Sequence, residues 1–439
     1  MLKIYNTLNG KKELFHSVEE KKVNIYVCGP TVYDHLHIGN IRPLIFFDFV
    51  KRYFLLLGMK VNLVVNITDI DDKIIQKAIT NKVSETDISK KYTTYFFNLL
   101  SFLEIKLIDK FPLVTNYIPE IVSYIERLIK EGYTYTTSEG IYFKSSLVSN
   151  YGDLSNQKIN KLKKSDRKQK QTDKINVEDF VLWKKTENGI QYKSPWFYGR
   201  PGWHTECVTM IQNIFQNTID IHGGGNDLKF PHHENEKAQF WAINKKTLAN
   251  YFMYIGYVNY KKNKMSKSLK NVILVKDLLQ TFEPNIIKLF FLSYHYLQPI
   301  DYNIELIFNF KIKYDRIVYI LNKNNFKLIL YNVNNNEITD SFYIKKFFQL
   351  IENDFDTPNI LTLIEELLKK INKTLDLNKL SKFQNTLIYL LKNLNIFIVL
   401  KDVTKEKIEI YNLWLKTKQN KEFEKSDYLR NILQKEQII

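Results

Sequence analysis

Two β-rich runs flank one long apolar helix near the start of the chain, and this arrangement limits the possible folds more than any other feature. Residues Val23–Val27 read as a buried strand that Gly29 and Pro30 break. From Ile41 to Leu57 the chain is apolar and helical in character, and Gly58 sits where a helix C-cap belongs. Val61–Ile67 is a second β-rich run. Strand, helix and strand at this spacing make a βαβ unit. Such a unit crosses over right-handedly and places its ligand at the carboxyl ends of parallel strands. We therefore expect an α/β fold built on a parallel sheet.

Further along, Pro119–Glu131 reads as helix and Gly140–Phe143 as strand. Lys161–Lys174 is polar, Lys-rich and without periodicity, which predicts a mobile loop. Pro195–Pro201 marks a boundary, and Ile219–Ile221 is a short strand leading into Gly223–Gly225. Beyond about Tyr302 the pattern is mostly amphipathic helix, as in Ile360–Ile371, Ser381–Leu394 and a final helix Lys416–Ile432. Asn322–Asn336 reads as an Asn-rich connector. A chain of 439 residues exceeds what one core usually supports, about 250–300 residues, so several domains are expected.

Lys and Arg total 64 against 47 Asp and Glu, a formal charge of +17, which points to a polyanionic partner. Lysine enrichment from codon bias is the alternative. The two cysteines, Cys28 and Cys207, exclude a disulfide scaffold. The segment Met1 to Glu13 lacks an apolar signal core, and no apolar run approaches the ~20 residues of a membrane span, so a cytoplasmic protein is expected.

Three groups of residues carry chemistry. His35–Leu36–His37–Ile38–Gly39–Asn40 lies between the first strand and the first helix, where free N–H groups and the dipole suit a phosphate. Gly39 lets a ligand approach the backbone closely, and His37 can donate to a phosphate oxygen. Lys264–Met265–Ser266–Lys267–Ser268 offers two cations and two hydroxyls that could clamp a polyphosphate. Finally, Cys28, Cys207, His232 and Glu236 form a plausible zinc set of two thiolates, an imidazole and a carboxylate. His232 and Glu236 share a helical face, with Pro231 in the first turn. Two structural cysteines beside a polar helix start is the plainer reading of that third group.

His-Ile-Gly-Asn followed far downstream by Lys-Met-Ser-Lys-Ser resembles the signature pair of class I aminoacyl-tRNA synthetases. Asn40 stands where many of that class carry a second histidine. The stretches Val27–Asp34, Asn66–Ile74, Asp179–Lys184, Gly199–His204, Asp220–Leu228 and Asp354–Pro358 are similar to blocks of the cysteinyl-tRNA synthetases specifically. The resemblance implies a Rossmann-type parallel-sheet catalytic domain with an insertion, followed by an α-helical C-terminal region. Its implied boundaries are 1–116 and 196–260 for the two catalytic halves and 117–195 for an insertion contacting the tRNA acceptor end. Residues 261–310 would hold the lysine–serine loop, and 311–439 a helical tRNA-binding region.

By the same resemblance, ATP meets His37, Gly39, Asn40, Lys264, Ser266, Lys267 and Ser268, with His37, Asn40, Lys264 and Lys267 catalytic. Thr68, Trp203 and His222 would shape the cysteine pocket, although core packing is the competing role for Trp203. Cys28, Cys207, His232 and Glu236 would bind one zinc, His233 and Glu234 being less suitable neighbours. Zinc would distinguish cysteine from serine better than an apolar pocket, which manages only ~10–200-fold on so small a change. Since four protein ligands already saturate tetrahedral zinc, either the metal becomes five-coordinate or Glu236 loosens when cysteine binds.

The implied partners are Mg²⁺-bound ATP, L-cysteine and tRNA(Cys), and a monomer is expected. Lys270 and Leu297 depart from the family pattern, which has Gly and Arg there. The small α/β tail that follows the last helical block in the family is expected to be missing after Ile439. Two alternatives share the adenylation site: a ligase that passes cysteine to a small amine, and a decayed synthetase that only binds RNA.

Overall fold

The computed structural model describes residues 1–157, 173–260, 263–265, 271–333 and 337–439. It divides into two compact units: Met1–Thr281 with Tyr296–Tyr302, and Phe282–His295 with Asn303–Ile439.

The first unit opens with a hairpin of β1 (Lys3–Asn6) and β2 (Lys11–Leu14). Next come β3 (Lys22–Val27), the helix Ile38–Leu56 and β4 (Lys60–Val65), with β3 and β4 parallel and in register. The expected βαβ unit is present, with its helix starting three residues earlier than the apolar run because His37 caps it. Val23, Ile25, Tyr26 and Val27 are all fully buried. That continuous burial suits a parallel strand covered on both faces.

Between the strands of the central sheet the chain forms β5 (Thr134–Thr136), β6 (Gly140–Phe143), β7 (Phe180–Lys185) and β8 (Gly199–Pro201), an antiparallel sheet in that order that extends past the expected boundary at 195. This sheet runs on to Pro201, so the Pro/Gly-rich segment forms its last strand. Two further parallel strands, β9 (Ile219–Gly225) and β10 (Ala249–Ile255), complete the central sheet in the order β10-β9-β3-β4. The glycines Gly223–Gly225 are part of β9 itself. A Cβ on Gly223 would stand 2.1 Å from the Phe47 ring, so this glycine is what lets the first helix lie on the sheet. Parallel bridges Val64 to Lys110 and Ile67 to Leu113 add one more extended segment beyond β4. Chain order therefore reverses between β3 and β9. In open α/β sheets this switch point is where ligands bind.

A small sheet of β11 (Val258–Tyr260), β12 (Asn263–Lys264) and β13 (Ile300–Tyr302) follows. The expected mobile loop lies largely within residues 158–172, outside the described residues.

The second unit is helical: Pro284–Leu292, Ile304–Leu330, Ser341–Glu352, Thr357–Lys373, Leu377–Asn393, Lys405–Gln419 and Phe423–Lys435. Asp340, Asp356, Asp376 and Thr404 cap four of them through their side chains. Two expectations differ here. The Asn-rich connector is helical as far as Leu330. Asn322 and Asn324 are buried, and Asn322 bonds Gln437 Oε1 at 2.6 Å and the Lys401 N–H at 2.9 Å, so tertiary contacts override weak helix propensity. The single final helix is two, parted at Asn420–Glu422 where Lys421 takes a left-handed conformation.

Candidate active site and metal centre

Cys28 is the first residue past β3, and its N–H bonds the Gly223 carbonyl of β9 at 3.0 Å. That bond fixes the thiol at the switch point. Cys207 projects from the helix Trp203–Phe215, and the two Sγ atoms are 3.7 Å apart. That is far beyond a disulfide's ~2.05 Å, so both are free thiols. His232 lies in the short π-helical turn Lys229–His233, which runs into the helix Glu234–Asn244 carrying Glu236. His232 Nε2 meets Glu236 Oε1 at 2.7 Å, and that same oxygen is 3.8 Å from Cys28 Sγ. Cys28, Cys207, His232 and Glu236 thus bring one donor atom each within 4.8 Å of one another. The structure brings these four residues, remote in sequence, to one place.

A second set, Cys28, His222, His233 and Glu236, meets the same criterion. His233 Nε2 is 3.2 Å from Cys28 Sγ. Its ring stacks on His222 at 3.9 Å. Glu234 turns elsewhere, accepting from Ser155 N and Oγ at 2.9 Å and from Lys237 Nζ. Of the two residues between His232 and Glu236 named beside them, only His233 reaches the cluster.

Buried charge in the cluster is balanced internally. Burial works against ionisation of Glu236, but His232 and His222 on its two oxygens hold the carboxyl well below its usual range. Burial alone would lower His232, yet Glu236 and Cys207 raise it to about 10. Burial likewise pushes the Cys207 thiol up, and contacts from Cys28 and His232 more than reverse this, to about 6. Burial and the neighbouring Cys207 and Glu236 push the Cys28 thiol up, so of the two sulfurs Cys207 gives up its proton the more easily.

The His35–Asn40 motif adjoins the cluster. His37 is the N-cap of the first helix: its Nδ1 accepts from the Gly39 N–H at 3.1 Å, while Asn40 Oδ1 accepts from the His37 N–H at 3.1 Å. With Nδ1 an acceptor, the proton of a neutral ring is on Nε2. The stretch Ile273–Val275, downstream of the lysine–serine segment, meets this motif, and Met265 is held against β11. Ile38 N–H bonds Ile273 O at 2.9 Å, Val275 N–H bonds Leu36 O at 3.0 Å, and Met265 N–H reaches Val258 O at 3.4 Å. Lys264 lies in β12, while Ser266, Lys267 and Ser268 fall outside the described residues. Cys28, His37, Gly39, Asn40, Trp203 and Met265 all line one cleft of about 320 Å³.

Comparison with known proteins now decides the family. The "tRNA synthetases class I (C) catalytic domain" matches residues 14–311. A cysteine–tRNA ligase of Aster yellows witches'-broom phytoplasma (strain AYWB) is 48% identical over 435 residues, covering 99% of each chain. That of Acholeplasma laidlawii (strain PG-8A) is 45% identical over 433 residues, again with 99% of each covered. The chain belongs to the cysteinyl-tRNA synthetase family.

Solved structures show the fold of that class more broadly. Mycobacterium tuberculosis methionyl-tRNA synthetase in complex with methionyl-adenylate superposes with a TM-score of 0.62 at 13% identity, over 85% of this chain and 89% of its own. Within the cysteinyl-tRNA synthetase framework, the three residues expected around the amino acid occupy different positions. Trp203 is 43% exposed and stacks on His232 at 4.3 Å, so it is a cleft wall and not core. His222 is fully buried behind the cluster, bonding the Tyr26 carbonyl through Nδ1 and meeting Glu236 Oε2 through Nε2 at 2.6 Å. Thr68 is buried beside Asn66, whose Oδ1 accepts from the Gly29 N–H at 2.9 Å.

Sequence reasoning missed three supporting side chains. His204 Nδ1 stands 3.0 Å from His232 Nδ1, and burial with the neighbouring His232 charge lowers His204 to about 3. Tyr254 of β10 meets His233 Nδ1 through its hydroxyl at 3.0 Å. Tyr26 packs edge-on against His222. Tyr26 alone left a signal, because strand alternation puts it on the same sheet face as Cys28. Among the described residues no helix is long and apolar enough to cross a membrane.

Proposed function

We infer that this chain, a class I cysteine–tRNA ligase, selects its amino acid with one zinc ion held by Cys28, Cys207, His232 and Glu236. The observation that carries this reading is the convergence of that donor set and the His37–Asn40 helix start on one cleft. The donors fit the metal. Two thiolates each ~2.3 Å from a shared tetrahedral zinc stand about 3.8 Å apart, and Cys28 and Cys207 are 3.7 Å apart. Two thiolates favour this set over the one containing His222 and His233, which has a single sulfur. Bound there, zinc supplies a soft, Lewis-acidic site that prefers a substrate thiolate to a hydroxyl.

The chain's own residues do the rest. L-cysteine lies against Trp203, with Thr68 and His222 supporting the pocket from behind. ATP, carrying Mg²⁺, places its phosphates at the start of the first helix, where N–H groups and the dipole favour anions. His37 donates from Nε2 to a phosphate oxygen because its capping bond occupies Nδ1. Gly39 keeps that approach open, and Asn40 holds the His37 backbone. Lys264, Ser266, Lys267 and Ser268 cover the triphosphate from the other side, with Lys267 and His37 neutralising charge as the cysteine carboxylate attacks the α-phosphorus. Cysteinyl-adenylate and pyrophosphate form, and a ribose hydroxyl of the 3′-terminal adenosine of tRNA(Cys), the 2′-OH in class I, then takes the cysteinyl group. The insertion at 117–195 faces the acceptor end, and the helical region 311–439 the anticodon stem. We place the enzyme in the cytoplasm as a monomer.

The test is cysteine-dependent pyrophosphate exchange followed by transfer to tRNA(Cys). Both steps should proceed. Exchange with transfer only to a small amine would indicate the related ligases, and RNA binding without exchange would indicate a non-catalytic descendant.

A further inference from the structure

His222 and Gly224 stand on one face of β9, and the register pairs them with Phe252 and Tyr254 of β10. Having no side chain, Gly224 leaves room beside Tyr254, and the His233 imidazole lies there. A Cβ on Gly224 would stand 3.3 Å from His233 Cε1 and 2.9 Å from Leu228 Cδ1, so any side chain at 224 would crowd the ring. The ring of His222 stacks on that of His233 at 3.9 Å, with the two planes 14° apart. His233 is fully buried, and Tyr254 is 2% exposed. Backbone register and packing thus hold this imidazole in one place.

Both ring nitrogens have partners. The Tyr254 hydroxyl is 3.0 Å from Nδ1, and Cys28 Sγ is 3.2 Å from Nε2. A sulfur that ligates metal is a thiolate, and a thiolate can only accept. Nε2 must then carry the proton, so Nδ1 accepts and the tyrosine hydroxyl donates. The chain of bonds runs one way, from Tyr254 through His233 to Cys28. Charge gives this chain a purpose. Two thiolates and the Glu236 carboxylate bring three negative charges to a metal ion carrying two positive ones. A substrate thiolate adds a fourth, at a site whose other groups are largely buried. An N–H on one sulfur draws charge off that ligand and leaves the metal better able to accept another thiolate.

We propose that Tyr254, acting through His233, keeps an N–H on the Cys28 sulfur and so tunes the metal site to take up a cysteine thiolate. This rests on the reading that Cys28, Cys207, His232 and Glu236 hold zinc. Tyr254 is a positioning residue, and His233 supports a ligand without being one. The assignment also gives a role to the second donor set, in which His233 reaches Cys28 but brings only one sulfur. Without the tyrosine hydroxyl, nothing fixes the proton on Nε2. The ring can then face the sulfur with its bare nitrogen, and the N–H is lost.

The experiment loads the whole enzyme with cobalt(II) and follows the sulfur-to-cobalt charge-transfer band, alongside zinc affinity by competition with a chelator. A hydrogen bond stabilises the sulfur lone pair, so its loss moves the band to longer wavelength. Tyr254→Phe removes one oxygen and keeps the ring. It should show that shift and bind zinc about 10–100-fold more weakly, the usual cost of losing a partner behind a metal ligand. Its KM for cysteine should rise while that for ATP stays near native. His233→Ala should shift the band further yet still hold metal. A Tyr254→Phe band at the native position or at shorter wavelength would overturn the proposal, even with weaker zinc binding, since looser packing alone would produce that. A His233→Ala enzyme that holds no metal would make His233 a ligand, and would overturn it as well. Uptake of neither zinc nor cobalt by the native enzyme would instead overturn the underlying zinc reading.

Discussion

A serine at position 28 keeps the size of the side chain and changes only its donor atom. Under the zinc assignment, Cys28→Ser should reduce bound zinc from about one equivalent per chain to a small fraction and abolish cysteine activation with it. Elemental analysis and pyrophosphate exchange on one preparation check both, and a metal-free yet fully active variant would count against the assignment. His37 offers a finer separation, because it caps a helix and is assigned to phosphate. His37→Ala should lose the cap, about 1 kcal/mol of stability, as well as rate. His37→Asn keeps a capping acceptor, so its melting temperature should stay near native while adenylate formation slows. Lys267→Ala should cut the adenylation rate ~10²–10³-fold with cysteine affinity nearly unchanged. Fall of the affinity alone would show that Lys267 acts in the ground state. The cluster of Cys28, Cys207, His232 and Glu236 could be suspected because thiols and imidazoles are scarce here and coincide with motif positions. His204 and Tyr254 were not, since their roles exist only once separate elements meet at His232 and His233.

At the scale of elements, the β3–helix–β4 unit could be read directly, because apolar periodicity and the Gly58 stop specify it locally. Strand order could not, since pairing of β3 with β9 joins segments separated by the whole insertion. Gly223 makes that pairing testable. Gly223→Val would drive a side chain into Phe47, and overpacking of this kind typically costs ~1–3 kcal/mol, visible as a lower urea midpoint. An unchanged midpoint would show that the first helix can shift off β9. Asn322 illustrates the opposite limit of sequence reading. Its composition suggests a loop, but its side-chain bonds to Gln437 and Lys401 hold it in a helix.

Across the whole molecule, a net charge of +17 on a tRNA-charging fold predicts a large electrostatic share in tRNA binding. Affinity for tRNA should fall steeply as salt rises, because each phosphate neutralised releases counterions. A salt-independent affinity would place the recognition elsewhere than in the lysines. The parallel sheet brings β3 and β9 together at the switch point, and the donor set and the capped helix start meet there. Under the zinc assignment, that convergence is where the amino acid is chosen. The most direct measurement is charging of tRNA(Cys) with cysteine and with serine by zinc-replete and zinc-stripped enzyme. Cysteine should exceed serine by well over the ~200-fold that shape alone supplies, and only when zinc is bound. Comparable charging of the two amino acids, or full selectivity without zinc, would contradict the account.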